Sequence, residues 1–224
     1  MPAHDPQPTN QPANPHNPHR RAFPTDTPDG MLLIISGPSG VGKTSITRGV
    51  ERSIADSVFS VSATTRPKTD ADVEGVDYHF VTDAEFERMR AAREFLESAE
   101  VFGRKYGTPR RWVEEQLARG RLVILEIDVQ GARQVKGAMP EAFGLFVLPP
   151  SEDALLERLR ARKREPEEAI RRRFAEARRE IADARASEVY DHFIVNDDLP
   201  AAITQAVEAV RAERAGRTES RNPR

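Results

Sequence analysis

The sequence contains no cysteine among its 224 residues, which excludes disulfide bonds, thiolate metal sites and a cysteine nucleophile. No apolar run approaches the roughly 18 residues of a membrane span, and the first residues lack the apolar segment of a signal peptide. Lysine plus arginine (34) nearly balance aspartate plus glutamate (36), which argues against general attraction to nucleic acid or to a membrane. These absences lead us to expect a cytoplasmic protein.

The two ends of the chain differ in composition from the middle. Residues 1–30 hold eight of the 17 prolines and almost no large apolar side chains, which predicts a disordered tail. His4, His16 and His19 lie in this tail, but no closely spaced cluster of metal ligands accompanies them. Residues 211–224 are polar and form a second predicted tail.

Short apolar runs alternate with helical patterns between these ends. The runs predict five buried strands, over 32–36, 58–61, 122–127, 145–148 and 193–195. The spacing of apolar residues predicts six helices, over 42–53, 83–92, 109–119, 151–163, 167–185 and 200–213. Strands that alternate with helices indicate an α/β fold, in which helices cover both faces of a parallel sheet.

The turn after the first predicted strand fits the phosphate-binding pattern G-x-x-x-x-G-K-[ST]. A strand, a glycine-rich turn and a helix in this order point backbone N–H groups and the positive end of a helix dipole at one spot. We expect Lys43 to reach the β- and γ-phosphates of ATP and Thr44 to offer its hydroxyl to Mg²⁺. The predicted ATP-binding residues of this P-loop are Gly37, Pro38, Ser39, Gly40, Val41, Gly42, Lys43 and Thr44.

A P-loop alone does not identify the second substrate, because ATPases, GTPases and small kinases share it. The Asn-Lys-x-Asp segment with which GTPases read guanine is absent from the sequence. Other segments together resemble the guanylate kinase family, from about residue 31 to residue 199. Besides the P-loop and an arginine-rich stretch, the matching segments are 60–67, 74–80, 97, 105–108, 125–131 and 194–198.

This resemblance implies a P-loop NTPase-type parallel sheet flanked by helices, with a GMP-binding lobe and an arginine-rich helical lid. The domain is expected to span 31–210. Within it we assign the core to 31–62, 113–150 and 186–210. We assign the GMP-binding lobe to 63–112 and the lid to 151–185.

Three residues match family positions that contact guanine. Guanine presents two donors, N1–H and N2–H₂, so that a carboxylate can accept from both, whereas adenine presents a different pattern. The resemblance assigns this carboxylate to Glu97 and assigns base-contacting hydroxyls to Ser62 and Thr108. A polar site that the wrong substrate leaves unpaired can discriminate by up to about 10⁴-fold.

The resemblance also implies a grip on the phosphate of GMP by Arg66, Tyr78 and Tyr106. Here the sequence departs from the family pattern. A second arginine usually follows three residues after the first, but this chain has Thr69. We predict that a nearby cation partly substitutes for it, and the candidates are Lys68, Arg110 and Arg111.

Two acids end the strand predicted over 122–127. Glu126 and Asp128 should emerge beside the P-loop, and in the family this pair lies between the metal and the guanine nucleotide. We assign both to the GMP side and expect Asp128 to hold Mg²⁺ through water, together with Thr44. An acid pair that only orders Arg66 or Lys43 remains an alternative.

Residues 151–180 carry ten Lys or Arg and eight Asp or Glu, a composition typical of a solvated helical surface. Arg158, Arg162 and Arg173 nevertheless fall at the family's lid positions. Lid arginines are expected to neutralise the phosphoryl group in flight, so we predict them as catalytic, with Lys43 and Arg66. Asn196 matches a family position near the adenine of ATP.

Taken together, the resemblance implies a kinase that transfers the γ-phosphoryl group of ATP to GMP, and also to dGMP, in purine metabolism. The expected partners are ATP and GMP with Mg²⁺, and nothing in the charge pattern identifies an oligomer interface. Two alternatives stay open. One is a catalytically inactive binding module with the same fold, and the other is a related kinase for a phosphosugar.

Overall fold

The computed structural model describes residues 30–101, 103–161 and 166–221. The predicted N-terminal tail, apart from residue 30, lies outside the described residues. So does the predicted lid residue Arg162.

Nine strands and seven helices follow one another in the described part of the chain. The strands are β1 Met31–Ser36, β2 Ser57–Phe59, β3 Ala63–Thr64, β4 His79–Phe80, β5 Phe95–Val101, β6 Arg104–Pro109, β7 Leu122–Glu126, β8 Phe143–Leu148 and β9 His192–Val195. The helices are α1 Lys43–Ser53, α2 Asp83–Ala91, α3 Arg110–Ala118, α4 Val129–Ala138, α5 Glu152–Ala161, α6 Glu167–Arg185 and α7 Leu199–Arg221.

Five of the strands form a parallel sheet in the order β2-β7-β1-β8-β9. β1 lies at its centre, where Leu33 pairs with Ile124 of β7 on one side and Phe143 of β8 on the other. The carboxyl ends of β1 and β7 therefore lie side by side, and a ligand of such a sheet binds beyond these ends. This parallel sheet with flanking helices confirms the predicted fold class.

The core has two layers because β1 is buried on both faces. Leu33 and Ile35 point to one face and pack in a cluster with residues of α1 and α7, whereas Leu32 and Ile34 point to the other and pack with residues of α4. Burying each such side chain contributes roughly 1.5–3 kcal/mol. A run of five apolar residues, Met31 to Ile35, is what a sheet covered by helices on both faces requires.

The four remaining strands form a second, smaller sheet in the order β4-β3-β6-β5. β5 and β6 pair in antiparallel fashion, and Glu97 lies opposite Thr108. This sheet has an apolar cluster of its own, in which Phe86 of α2 packs on Phe95 with ring centroids 4.6 Å apart.

The structure adds elements that the sequence patterns did not predict. They are α4 and all four strands of the smaller sheet. The last helix also extends to Arg221, beyond its predicted end at 213, into residues assigned to a polar tail. Arg214 explains this extension, because its two terminal nitrogens donate to the Asp56 carboxylate over 3.0 and 2.6 Å and fasten the helix to the turn before β2. Arg217 donates to the Glu141 carbonyl in the same region.

Candidate active site

A cleft of about 460 Å³ opens where the P-loop meets the smaller sheet. Most of the predicted site residues line this cleft. From the P-loop and the larger sheet these are Gly37, Ser39, Gly40, Gly42, Lys43, Thr44, Glu126 and Asp128. From the smaller sheet, its neighbouring loops and α6 they are Ser62, Tyr78, Glu97, Tyr106 and Arg173. The cleft thus brings the predicted donor and acceptor residues together.

The P-loop wraps around its own lysine. Lys43 begins α1, and its ammonium donates to the carbonyls of Gly37 and Pro38 over 2.5 and 3.1 Å. Gly42 precedes it with a φ of 99°, which only glycine adopts at little cost, and a Cβ there would lie 2.5 Å from the Asn196 amide nitrogen. The turn thereby fixes the lysine at the start of the helix, where anions bind.

Thr44 and Glu126 join the P-loop to the end of β7. The Thr44 hydroxyl donates to Glu126 Oε1 over 2.8 Å, because β7 lies beside β1 and both strands end at the same edge. This pair of oxygen ligands suits a hard cation such as Mg²⁺. Among the described residues, no three His, Cys, Asp or Glu side chains cluster as a metal cage.

Asp128 lies two residues further on and caps α4. Its side chain accepts from the Gly131 N–H over 2.8 Å, as expected of an aspartate at a helix N-cap. Burial raises the pKa of Asp128, while the N–H groups of Gly131 and Gln130 oppose the rise. From the sequence we expected Asp128 to hold Mg²⁺ together with Thr44. In the structure the Thr44 hydroxyl contacts Glu126.

Glu97 is a buried carboxylate at the wall of the cleft, with 4% of its surface exposed. Thr108, opposite on β6, donates to Glu97 Oε1 over 2.6 Å. Burial raises the pKa of Glu97 to about 7, Asp128 adds to the rise, and the Thr108 hydroxyl opposes it. Gly131 packs against the other carboxylate oxygen, since a Cβ there would lie 2.6 Å from Oε2.

Arg66 lies beside the cleft next to two aromatic rings. Its guanidinium carbon is 5.2 Å from the ring centroid of Tyr78 and 5.3 Å from that of Phe80. Tyr78 packs on Tyr106 at 5.7 Å, and both tyrosines line the cleft. Burial raises the pKa of Tyr78, so its phenol keeps the proton that a hydrogen bond to phosphate needs.

Two of the predicted lid residues, Arg158 and Arg173, contact the P-loop side of the cleft. Arg173 of α6 donates from Nη2 to the Ser39 hydroxyl over 2.6 Å. Arg158 of α5 donates to the Asn196 carbonyl over 2.9 Å, and the Asn196 amide in turn donates to the Val41 carbonyl over 2.7 Å. Asn196 therefore braces the P-loop from behind and is itself buried.

The structure does not place Arg110 or Arg111 at the cleft. Each lies four residues before an acid of α3, and the ion pairs Arg110–Glu114 and Arg111–Glu115 measure 3.5 and 2.8 Å. Lys68, the third candidate to replace the family's second arginine, is exposed and does not line the cleft either. Thr69, at the position of the family's second arginine, donates its hydroxyl to Asp72 over 2.7 Å.

Sequence reasoning missed two acids of α6 that line the cleft. Glu176 and Glu180 share a helix face with Arg173 through spacings of three and seven residues, and this periodicity was the signal available. Burial raises the pKa of Glu180 to about 7, against the attraction of Lys43. Both acids fall in the stretch interpreted as a solvated surface.

A sequence profile of the family described as guanylate kinase matches residues 29–213. The chain belongs to the guanylate kinase family. The guanylate kinase of Symbiobacterium thermophilum is 49% identical over 188 residues, which cover 84% of this chain and 88% of the relative. That of Anaeromyxobacter dehalogenans is 48% identical over 186 residues, or 83% and 81% of the two chains.

A solved guanylate kinase structure supports the same assignment. The crystal structure of the enzyme from Anaplasma phagocytophilum matches with a TM-score of 0.68 at 34% identity, covering 83% of this chain and 86% of that one. The resemblance seen in the motifs is thereby confirmed. The division of this guanylate kinase chain into core, lobe and lid remains a prediction. No helix in its described part has the length and apolarity of a membrane span.

Proposed function

We propose that this protein is an ATP:GMP phosphotransferase, which converts ATP and GMP into ADP and GDP, and that it also accepts dGMP. One observation carries the proposal: the buried Glu97 carboxylate lines the same cleft as a complete P-loop. The family and its curated members support it. Because ATP and GMP are cytoplasmic metabolites, we propose the same compartment for the protein.

Glu97 supports guanine as the acceptor base. An ionised carboxylate accepts hydrogen bonds only, so it fits the N1–H and N2–H₂ donors that lie side by side on guanine. Thr108 orients the carboxylate from one side, and Gly131 leaves room for it on the other. Adenine offers no matching pair of donors, so binding it would leave the buried carboxylate without the two hydrogen bonds that guanine supplies.

On the donor side, Lys43 and the N–H groups of the P-loop suit the phosphates of ATP. Thr44 and Glu126 fit Mg²⁺ because both offer oxygen ligands 2.8 Å apart, and the ion would take its remaining ligands from water and phosphate. When bound, the ion neutralises negative charge on the phosphates. We assign its contact to Glu126 in preference to Asp128, since Asp128 already caps α4.

The transfer itself requires no general base from the protein. An oxygen of the GMP phosphate, largely ionised at neutral pH because its second pKa lies near 6, forms a bond to the γ-phosphorus. The bond from that phosphorus to the bridging oxygen breaks, and its electron pair leaves with ADP. Arg66, Tyr78 and Tyr106 would hold the acceptor phosphate, while Arg173 and Arg158 would neutralise the charge on the group in flight.

The two alternatives conflict with particular residues. An inactive binding module has no need for an intact P-loop, yet Lys43 and Thr44 are present and line the cleft. A phosphosugar kinase has no use for the buried carboxylate of Glu97. The comparisons favour neither alternative.

The test is a panel of acceptors. The full-length protein is incubated with ATP and Mg²⁺ and with GMP, dGMP, AMP or CMP, and ADP formation is measured. We expect turnover with GMP and dGMP and at least about 10³-fold lower kcat/KM with AMP and CMP. The Glu97→Gln variant should lose most of this preference for GMP. Equal rates with AMP and GMP, or no turnover with any acceptor, would refute the proposal.

A further inference from the structure

Arg66, the predicted ligand of the acceptor phosphate, is held by an acid of its own loop. Its Nη1 and Nη2 donate to the two carboxylate oxygens of Asp72 over 3.0 and 2.7 Å. The second hydrogen of Nη1 is engaged by the Pro67 carbonyl at 3.1 Å. The side chains are 26% and 14% exposed, so this pair is shielded on most sides.

The remaining donors of Arg66 lie along one edge of the guanidinium. Arginine has five N–H donors in a rigid plane, and Asp72 and Pro67 occupy three of them. The two that remain, Nε–H and one hydrogen of Nη2, point in parallel in the fork geometry that binds phosphate through two bonds. Among the described residues, no hydrogen bond engages this edge. The acid thus occupies one fork and leaves the other for a ligand.

Asp72 is in turn held by Thr69. The backbone N–H and the hydroxyl of Thr69 each donate to Asp72 Oδ2 over 2.7 Å. Arg66 in the first place, and then Thr69, keep the pKa of Asp72 well below its usual range, so the carboxylate stays charged. On the other side, the rings of Tyr78 and Phe80 lie close to the guanidinium. The arginine side chain is therefore held by Asp72, the Pro67 carbonyl and two rings, and Thr69 holds Asp72 in turn.

We propose that Asp72 is a positioning residue that presents the Nε/Nη2 edge of Arg66 to the phosphate of GMP. Thr69 supports Asp72 from the position where the family pattern has a second arginine. The family pattern adds charge with a second arginine. This chain instead has one arginine whose orientation is fixed. A preorganised donor pair loses less entropy on binding, which compensates in part for the missing charge. The inference rests on the proposed function.

The opposite role for Asp72 is an internal competitor that phosphate must displace. The two roles predict opposite changes in GMP affinity when the carboxylate is removed: a positioning residue predicts weaker binding and a competitor predicts tighter binding. A competitor would occupy the Nε/Nη2 edge or be loosely held, whereas Asp72 occupies the other edge and receives two bonds from Thr69. The geometry therefore favours positioning.

The test compares Asp72→Asn and Thr69→Val with Asp70→Asn, a matched control at an exposed acid of the same loop. GMP affinity is measured by calorimetry and KM and kcat by steady-state assay. We expect Asp72→Asn to weaken GMP binding and raise its KM by about tenfold or more, with the KM for ATP changed less than about twofold. Thr69→Val should show the same pattern to a smaller degree. Asp72→Glu, which keeps the charge, should recover part of the loss.

The outcomes of these measurements distinguish positioning from competition and from a purely structural role of Asp72. Tighter GMP binding by Asp72→Asn would overturn positioning in favour of competition. Unchanged GMP affinity in a folded variant, or equal losses toward ATP and GMP, would reduce Asp72 to a structural residue. If Asp72→Asn does not fold, Thr69→Val alone decides by the same criteria. A wild-type protein that binds no GMP would instead contradict the proposed function, and this inference with it.

Discussion

Gly131 lies so close to the carboxylate of Glu97 that a Cβ at position 131 would meet Oε2 at 2.6 Å. Glu97 cannot easily move aside, because it is buried and held by Thr108. We expect Gly131→Ala to displace the carboxylate, destabilise the fold by about 1–3 kcal/mol and raise the KM for GMP more than that for ATP.

Gly137→Ala is the matched control for this prediction. It lies on the same helix, α4, and a Cβ there would touch nothing within 4 Å. Alanine is the better helix former by roughly 0.5–1 kcal/mol, so this variant should be slightly more stable with unchanged kinetics. Equal effects of the two substitutions in denaturant unfolding would show that the close approach to Glu97 is unimportant.

Glu97 should make stability depend on pH. Its pKa is raised from 4.5 to about 7 by burial, so between these values the folded state retains a proton that the unfolded state has lost. Stability therefore falls as the pH rises through this window. Glu97→Gln should abolish this contribution, and at pH 8 the variant should be more stable than the wild type by roughly 1–3 kcal/mol.

Urea unfolding at pH 4 and pH 8 measures this difference. The stabilisation of Glu97→Gln should be present at pH 8 and nearly absent at pH 4. Glu100→Gln, an exposed acid on the same strand, should behave like the wild type at both values. A stability difference independent of pH would mean that the Glu97 carboxylate does not titrate as described.

Lys43→Ala should separate catalysis from acceptor binding. The lysine lies at the P-loop, on the donor side of the cleft, so we expect kcat to fall by about 10³-fold or more and the GMP affinity to change less than about threefold. Arg52→Ala removes one exposed cation from the same helix and should leave both unchanged. Full activity of Lys43→Ala would contradict the donor role of the loop.

Arg173→Ala tests whether the lid arginine acts on the reacting group. Because Arg173 reaches Ser39 of the P-loop, we expect kcat to fall by about 10²-fold or more with a small change in the KM for GMP. Arg171→Ala is the control, since this arginine is 78% exposed on the same helix and faces Glu167. If both variants lose activity equally, the effect comes from the charge of the lid and not from position 173.

The larger sheet and its helices could be predicted from the sequence because their signals are local. β1 is apolar from Met31 to Ile35, β8 has no polar side chain, and α6 was predicted with its observed ends. The strands of the smaller sheet are short or polar, as in Arg104–Pro109, and the sheet depends on pairing between strands distant in sequence, as between β3 and β6. α4 contains two glycines that weaken its pattern, and its signal was the N-cap at Asp128.

Motifs predicted most of the residues that line the cleft, whereas the contacts among these residues could not be predicted. The pairing of Thr44 with Glu126 depends on the neighbouring positions of β1 and β7, which only the sheet order reveals. Arg110 and Arg111 belong to a predicted helix, but only the structure shows that they pair with Glu114 and Glu115 and do not line the cleft. The charges of Glu176 and Glu180 were assigned to solvent because helix composition does not tell which face meets a cleft.

Strand β5 joins the two sheets, because Phe95 packs in the apolar cluster of the smaller sheet while Leu96 packs in the core of the larger one. Gln134 of α4 adds a polar link by accepting from the Ser98 N–H and donating to the Ser98 carbonyl. The phosphate loop depends on the larger core, whereas Glu97, the acid that we propose to contact guanine, lies on β5 of the smaller sheet. Substitutions on β5 that retune the choice of acceptor thus act on a strand that also packs against β1, the strand that leads into the P-loop. New acceptor preferences, whether evolved or engineered, therefore have to be compatible with the packing of both sheets.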